Sequence, residues 1–117
     1  MNTTYKFTII YSFRIIEGKE EDFIMCWTEL TNLIYEFAGS YGSRLHKVAD
    51  NLFVAYAQWP NKETFNNAGK NLPEISSKYR QQMRKCCEEI KTDYELNLIV
   101  KDLLKSKQHS NFIESVK

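Results

Sequence analysis

The sequence contains no long hydrophobic run and no clear excess of either charge. No apolar stretch approaches the roughly 18 residues that span a bilayer, so we expect no membrane-spanning helix. Residues 1–11 lack a basic start followed by an apolar block, which predicts no signal peptide. Lysine and arginine total 16 against 15 for aspartate and glutamate. Proteins that bind nucleic acid usually carry a clear basic excess, so this balance argues against such a partner.

Cysteine and histidine are scarce. The cysteines are Cys26 and the adjacent pair Cys86 and Cys87, and an odd number with one adjacent pair is a poor disulfide framework. We therefore expect reduced thiols and a cytoplasmic location. A zinc site would need more cysteine or histidine at ligand spacing. The chain also has no phosphate-binding loop and no nucleophile–base pair, so no motif of this kind assigns a reaction.

The 117 residues are 43% hydrophobic and 14% aromatic, which suits one compact domain with a real core. An apolar stripe at steps of four and three predicts a helix over residues 19–37. Gly18 can open this helix, and Gly39 is placed to cap its end. The residues that form the stripe are Phe23, Trp27, Leu30, Ile34 and Phe37.

Residues 5–16 alternate with period two and predict a strand. Two further strands are predicted over residues 43–49 and 52–59, the second of them stopped by Pro60. Asp50 and Asn51 tolerate positive φ and predict a hairpin between the second and third strands. We expect the helix over residues 19–37 to pack on the apolar face of the first strand. Its members are Phe7, Ile9, Tyr11, Phe13 and Ile15.

Asn61 is a good N-cap for a short helix that carries Phe65, and Pro73 predicts the start of a second long helix. We expect this helix to present one apolar side and residues 92–103 to form a fourth strand. The domain should then span residues 1–104, followed by a polar tail over 105–117. The apolar side comprises Ile75, Tyr79, Met83, either Cys86 or Cys87, and Ile90.

The resulting order, β-α-β-β-α-β, predicts an α+β, ferredoxin-like fold with both long helices on one face of an antiparallel sheet. The reverse face is too apolar to remain in water and too polar for an ordinary core. We therefore predict a homodimer in which two such faces meet. The residues of this face include Thr8, Ile10, Ser12, Arg14 and Tyr56.

Three motifs in order resemble the antibiotic biosynthesis monooxygenase (ABM) family. They are Glu17-Gly18-Lys19-Glu20 leading to Phe23 and Trp27, then residues 39–46, and then residues 59–68 beginning Trp59-Pro60. The resemblance covers about residues 5–100. Ala38 stands where the family often has proline, and Asn61 replaces the usual serine cap; both changes are conservative for the backbone.

The resemblance implies a dimeric α/β barrel with a pocket between sheet and helices in each subunit. Some members oxidise polycyclic phenols or quinols with O₂ and without metal or flavin, whereas others degrade haem or isomerise sugar phosphates. Membership therefore does not fix the reaction. Cofactor-free oxygenation needs a dry aromatic slot, a proton acceptor and a donor that stabilises the substrate anion.

Aromatic and polar residues on the helix-facing sides are our candidates for a slot that binds a small aromatic ligand. An aromatic residue on a helix-facing position is more often plain core, and that alternative applies to each of them. The Tyr11 hydroxyl is the best catalytic candidate, because it lies among apolar neighbours and needs a partner. The candidate slot residues are Tyr11, Phe13, Trp27, Trp59, Phe65, Asn66, Tyr79 and Met83.

His46 is the natural general base, but strand parity places it opposite Leu45, toward the predicted dimer interface. Arg14 shares that outer face and could steady an anion or pair across the interface, and no role is expected for His109 in the tail. A β-bulge could reverse the direction of the His46 side chain.

Haem degradation is excluded by comparison with the haem-degrading branch that the chain resembles. That branch needs asparagine, tryptophan and histidine at the positions held here by Tyr11, Ala68 and Lys78. An RNA-binding module of the same element order would need a basic, aromatic third strand, which is missing. We therefore predict a cofactor-independent monooxygenase acting on a small phenolic, quinol or polycyclic aromatic substrate. An isomerase or a non-catalytic ligand-binding dimer remains the alternative.

Overall fold

The computed structural model describes residues 6–97 and 100–115. Four antiparallel strands form one sheet in the order β2-β3-β1-β4. The strands are β1 (Phe7–Ile15), β2 (Gly42–Ala49), β3 (Leu52–Trp59) and β4 (Cys87–Leu96). The helices are α1 (Glu20–Ala38), α2 (Lys62–Asn66), α3 (Ile75–Lys85) and α4 (Ser110–Ser115), with a 3₁₀ turn over Ala68–Asn71. The predicted ferredoxin-like α+β fold is confirmed.

The strand β1 lies at the centre of the sheet and supplies most of its buried surface. It pairs with β3 on one side and with β4 on the other. Its alternate residues Phe7, Ile9, Phe13 and Ile15 expose 0–3% of their surface, because α1 and the elements after β3 cover that face. The predicted alternation of this strand is confirmed.

Helix α1 packs on the sheet through Phe23, which is fully buried. The Phe23 ring lies 5.0 Å from that of Phe13 and 5.4 Å from that of Phe53 between ring centroids. Gly39 ends the helix in the left-handed conformation at φ +85°, as predicted. Phe37 does not belong to the buried stripe. It is 47% exposed, and the neighbouring Ala38 packs against the core in its place.

The start of α1 is tied to the β2–β3 hairpin by Glu20. Its carboxylate accepts a hydrogen bond from the Asn51 backbone N–H at 2.6 Å and another from Lys47 Nζ at 3.0 Å. These two donors, the backbone N–H first, hold the pKa of Glu20 below its ordinary value. Asn51 adopts φ +62°, which agrees with the predicted turn.

Helix α2 begins at the predicted N-cap. The Asn61 Oδ1 accepts a hydrogen bond from the Thr64 backbone N–H at 2.8 Å. Phe65 on this short helix packs against Phe7 and Trp59, with ring centroids 5.4 Å apart in each pair. The short helix therefore closes one end of the core.

The predicted boundary between the second long helix and the fourth strand is wrong. Helix α3 ends at Lys85, and β4 begins at Cys87 rather than at residue 92. Ile90 thus belongs to the strand, where it pairs with Phe13. The apolar residues Met83, Cys86 and Ile90 follow a helical spacing, but pairing of Cys87 with Ile15 overrides it and forms the strand. Ile75 is also exposed, and Ser76 is buried in its place.

The strand β4 ends at Leu96, before the predicted end at residue 103. Leu98 and Ile99, which were expected to continue it, lie outside the described residues. Beyond them the apolar Val100, Leu103 and Leu104 are 72–91% exposed. The division into a domain over 1–104 and a tail over 105–117 stays a prediction. Within the described ranges, no helix combines the length and apolar character needed to cross a bilayer.

Replacing Phe23 with alanine should lower the free energy of unfolding by about 3–5 kcal/mol, because the ring fills a closed space between two other aromatic rings. The matched control is Phe37→Ala on the same helix, where an exposed ring predicts a loss below about 1 kcal/mol. Urea denaturation followed by circular dichroism measures both. Equal losses would contradict the packing described here.

Candidate functional site

A cavity of about 550 Å³ lies between the sheet and the helices α1 and α3. This volume is within the roughly 300–1,000 Å³ of typical small-molecule sites. All four strands and both helices contribute to its wall. The lining residues are Tyr11, Phe13, Trp27, Leu30, Thr31, Ile34, Ser40, Gly42, Ser43, Ala57, Trp59, Arg80, Met83, Arg84, Cys87, Glu88, Glu89, Ile90 and Thr92.

Two tryptophans and one methionine give the cavity much of its apolar wall. Trp27 reaches it from α1, Trp59 from β3 and Met83 from α3. Trp27 remains partly exposed, whereas Trp59 and Met83 are buried. Flat apolar side chains on opposed elements suit an aromatic guest, because such rings gain from offset or edge-on contact.

Tyr11 places a hydroxyl in this apolar wall. The residue is half-buried at the middle of β1, and its ring lies 6.2 Å from that of Phe13 between centroids. In the described part of the chain its hydroxyl makes no hydrogen bond. Burial raises the pKa of Tyr11, an effect that the positive charge of Arg80 partly offsets. At neutral pH the hydroxyl is therefore protonated and free to donate to a ligand.

Arg80 is one of several residues of this cavity that the sequence did not predict. It lies on the buried side of α3, four residues after Ser76 and three before Met83. Among the described residues its guanidinium has no ion-pair partner within 4 Å. Arg80 lies on the same side of the predicted helix as Met83. A charged residue on an otherwise apolar stripe is the sequence feature that indicates it.

The small hydroxyl side chains near the mouth have partners of their own. Ser40 Oγ accepts a hydrogen bond from the Gly42 backbone N–H at 2.9 Å. Ser43 Oγ donates to the Tyr56 carbonyl oxygen at 3.0 Å. These bonds fix the turn into β2, where Gly42 adopts φ +99°. The two serines therefore shape the backbone beside the cavity.

Four of the predicted catalytic and substrate-binding residues do not line the cavity. His46 is exposed and pairs with Val54 on the reverse face of the sheet, whereas its neighbour Leu45 packs toward the core. No bulge before His46 reverses the parity, since the irregularity in β2 follows Lys47. Phe65 packs against the core, and Asn66 is exposed. Tyr79 packs against the part of the core that contains Phe23.

The reverse face of the sheet carries a second, smaller depression of about 290 Å³. Arg14 lies there, as strand parity predicts, and its side chain is exposed. The residues of this depression are Ser12, Arg14, Val48, Leu52, Val54, Glu89 and Lys91.

The three cysteines are free. Cys26 Sγ donates to Gln82 Oε1 at 3.6 Å, and Cys87 Sγ donates to the Met83 carbonyl oxygen at 3.3 Å. Burial raises the pKa of all three thiols, that of Cys87 to about 11. They are therefore protonated and poorly reactive at neutral pH. Over the described ranges, no cluster of three or more histidine, cysteine or acidic residues is arranged to hold a metal ion.

The chain matches no protein-family model and no curated protein. Solved structures show its fold clearly. A candidate antibiotic biosynthesis monooxygenase from Nitrosomonas europaea has a TM-score of 0.70 at 13% identity, covering 86% of this chain and 96% of that one. SnoaB, a cofactor-independent oxygenase from Streptomyces nogalater, has a TM-score of 0.69 at 15% identity, covering 86% and 99%.

A third structure is that of a conserved protein of unknown function from Bacteroides thetaiotaomicron, described as a possible oxidoreductase. Its TM-score is 0.68 at 16% identity, and the match covers 82% of this chain and all of that one. The predicted resemblance to ABM proteins is confirmed in the fold. At such identities the likeness carries no reaction from one protein to another.

The raised pKa of Tyr11 predicts that its phenol ionises above its ordinary value of about 10. Ultraviolet absorbance of tyrosinate, taken as the wild-type titration minus that of Tyr11→Phe, isolates this group. Arg80→Gln should raise the midpoint further, because the guanidinium favours the phenolate. Lys78→Gln on the same helix is the control and should leave the midpoint in place. A midpoint at or below 10 would contradict the geometry.

Proposed function

We propose that the chain is a cofactor-independent monooxygenase of the ABM type, acting on a small phenol, quinol or polycyclic aromatic compound. One observation carries the proposal. An aromatic cavity of about 550 Å³ is lined by a protonated tyrosine hydroxyl and by an arginine that forms no ion pair with any residue the structure describes. Tyr11 and Arg80 together form a site for an oxygen atom that becomes negatively charged.

The cavity favours deprotonation of a bound phenol. Its apolar walls remove water, so a nearby positive charge acts more strongly than it would in solution. Arg80 then lowers the pKa of the guest's hydroxyl, and Tyr11 donates a hydrogen bond to the resulting phenolate. Trp27, Trp59 and Met83 provide contacts to the ring. The protein thus stabilises the form of the substrate that can reduce O₂.

The reaction balances with the phenol as the sole electron donor. The phenolate gives one electron to O₂, and the two radicals combine at the ring carbon para to the oxygen. Loss of the proton on that carbon, with cleavage of the O–O bond, leaves a para-quinone and releases water. One oxygen atom enters the product and the other becomes water, so the substrate supplies all four electrons.

The likeness to SnoaB supports this proposal, since that protein is a cofactor-independent oxygenase with the same fold. The fold alone also suits an isomerase or a ligand-binding protein without catalysis. The chemistry of Tyr11 and Arg80 favours an oxygenase over both, because it is directed at an aromatic anion.

We also propose that two copies of the chain pair through the reverse face of the sheet. This face exposes or half-exposes apolar side chains, including Ile10, Val54 and Tyr94. Arg14, Glu89 and Lys91 lie among them. An isologous pairing would remove the apolar atoms from water and let these charges meet across the axis.

Purified, metal-free protein should consume O₂ with 1-naphthol and form one 1,4-naphthoquinone per O₂. Arg80→Gln and Tyr11→Phe should each lower the rate about 10²-fold, since each removes stabilisation of the anion. Lys78→Gln removes an exposed charge from the same helix and is the control. His46→Ala should also leave the rate unchanged. Binding of 1-naphthol without O₂ uptake would contradict the proposal of an oxygenase and favour a ligand-binding protein without catalysis.

Light scattering after gel filtration should give twice the mass of one chain. Val54→Glu on the reverse face should give a folded monomer, because an unpaired carboxylate would be buried in the interface. Tyr35→Glu changes an exposed position on α1 and should leave the mass unchanged. A wild-type monomer in dilute solution would contradict the pairing.

A further inference from the structure

The proposed oxygenase lacks a proton acceptor among the residues discussed so far. His46 lies on the reverse face of the sheet, and Tyr11 is held in its protonated form. Ser40 and Ser43 are occupied by backbone groups. The remaining candidates in the wall are the carboxylates Glu88 and Glu89 at the start of β4.

We propose that Glu88 is the general base that takes the proton from the substrate hydroxyl; the assignment rests on the proposed function. The β1–β4 ladder is irregular at this point. Arg14 pairs with Glu89 and Ile15 pairs with Cys87, so Glu88 is an extra residue without a partner on β1. Such a bulge redirects a side chain, and bulges are over-represented beside active sites. Glu88 accordingly contributes to the cavity wall.

The register separates Glu88 from Glu89. Glu89 is opposite Arg14, and both residues contribute to the depression on the reverse face. Glu89 lines both the cavity and the depression, whereas Glu88 lines only the cavity. Glu89 therefore lies among the charges of the reverse face, whereas Glu88 does not line the depression there. Neither carboxylate has an ion-pair partner within 4 Å among the described residues.

Proton transfer at this position is chemically consistent. The O–H bond of the phenol breaks, its electron pair stays on the oxygen, and the proton binds a carboxylate oxygen of Glu88. A phenol is a weaker acid than a carboxylic acid, so the transfer needs the stabilisation of the phenolate by Arg80 and Tyr11. Glu88 is exposed on an edge strand, which lets the proton pass on to water.

Glu88→Gln removes the base while keeping the size of the side chain. Oxygen uptake with 1-naphthol should fall about 10²-fold or more. Asp93→Asn is the matched control: Asp93 is the extra residue of the second bulge in β4, between Tyr94 and Thr92, and does not line the cavity. It removes one carboxylate from the same strand and should leave uptake unchanged. Both positions are exposed, so both variants should fold.

A second experiment measures proton transfer by Glu88 in the absence of O₂. Under argon in D₂O, the phenolate of 1-naphthol can take up deuterium at the para carbon and then lose hydrogen from it, which proton NMR detects. The wild-type protein and Asp93→Asn should accelerate this exchange, and Glu88→Gln should be at least about tenfold slower.

The two measurements separate the inference from the function on which it rests. If exchange depends on Glu88 but no O₂ is consumed, the proposal that the chain is an oxygenase is wrong and the assignment of Glu88 as a general base stands. If Glu88→Gln and the wild type show equal O₂ uptake and equal exchange, Glu88 is not the general base, and the proposal of an oxygenase is unaffected. Absence of exchange with the wild-type protein would also overturn the assignment.

Discussion

The contact of α1 with the central strand is the constraint on which the rest of the structure depends. Phe23 inserts between Phe13 of β1 and Phe53 of β3, and all three rings are at least 96% buried. This contact holds one long helix against the sheet, while Glu20 fixes its first turn to the β2–β3 hairpin. With α1 held, α3 packs at its side, and the two helices leave a space above the sheet.

The polarity of that space explains its proposed chemistry. Most of the wall is apolar, so each polar group in it must find a partner or remain available to a ligand. The serines are bonded to backbone groups, whereas Tyr11 and Arg80 have no such partners among the described residues. The positive charge of Arg80 opposes the effect of burial on the pKa of Tyr11, so the guanidinium acts on the hydroxyl that β1 places in the cavity wall.

Local periodicity predicted the elements well wherever a single period described the segment. β1, β3 and the helix from residue 20 follow it, as do the caps at Asn61 and Gly39. It failed at Cys87, because the apolar residues Met83, Cys86 and Ile90 follow a helical spacing that pairing with β1 overrides. It failed at Phe37 because the last turn of α1 packs through Ala38. Arg80 carries no apolar signal, so the helical period that predicts Met83 does not distinguish it from a solvent-facing charge.

The sequence by itself determined the order of the elements, the α+β class and which residues of β1 share a face, because these follow from local spacing and from caps that act within a few residues. Tertiary structure decided the content of the cavity. It brought Tyr11 and Arg80 together from elements far apart in the chain, and it set the register that leaves Glu88 without a partner on β1. Such juxtapositions depend on packing between distant segments, which no local pattern records.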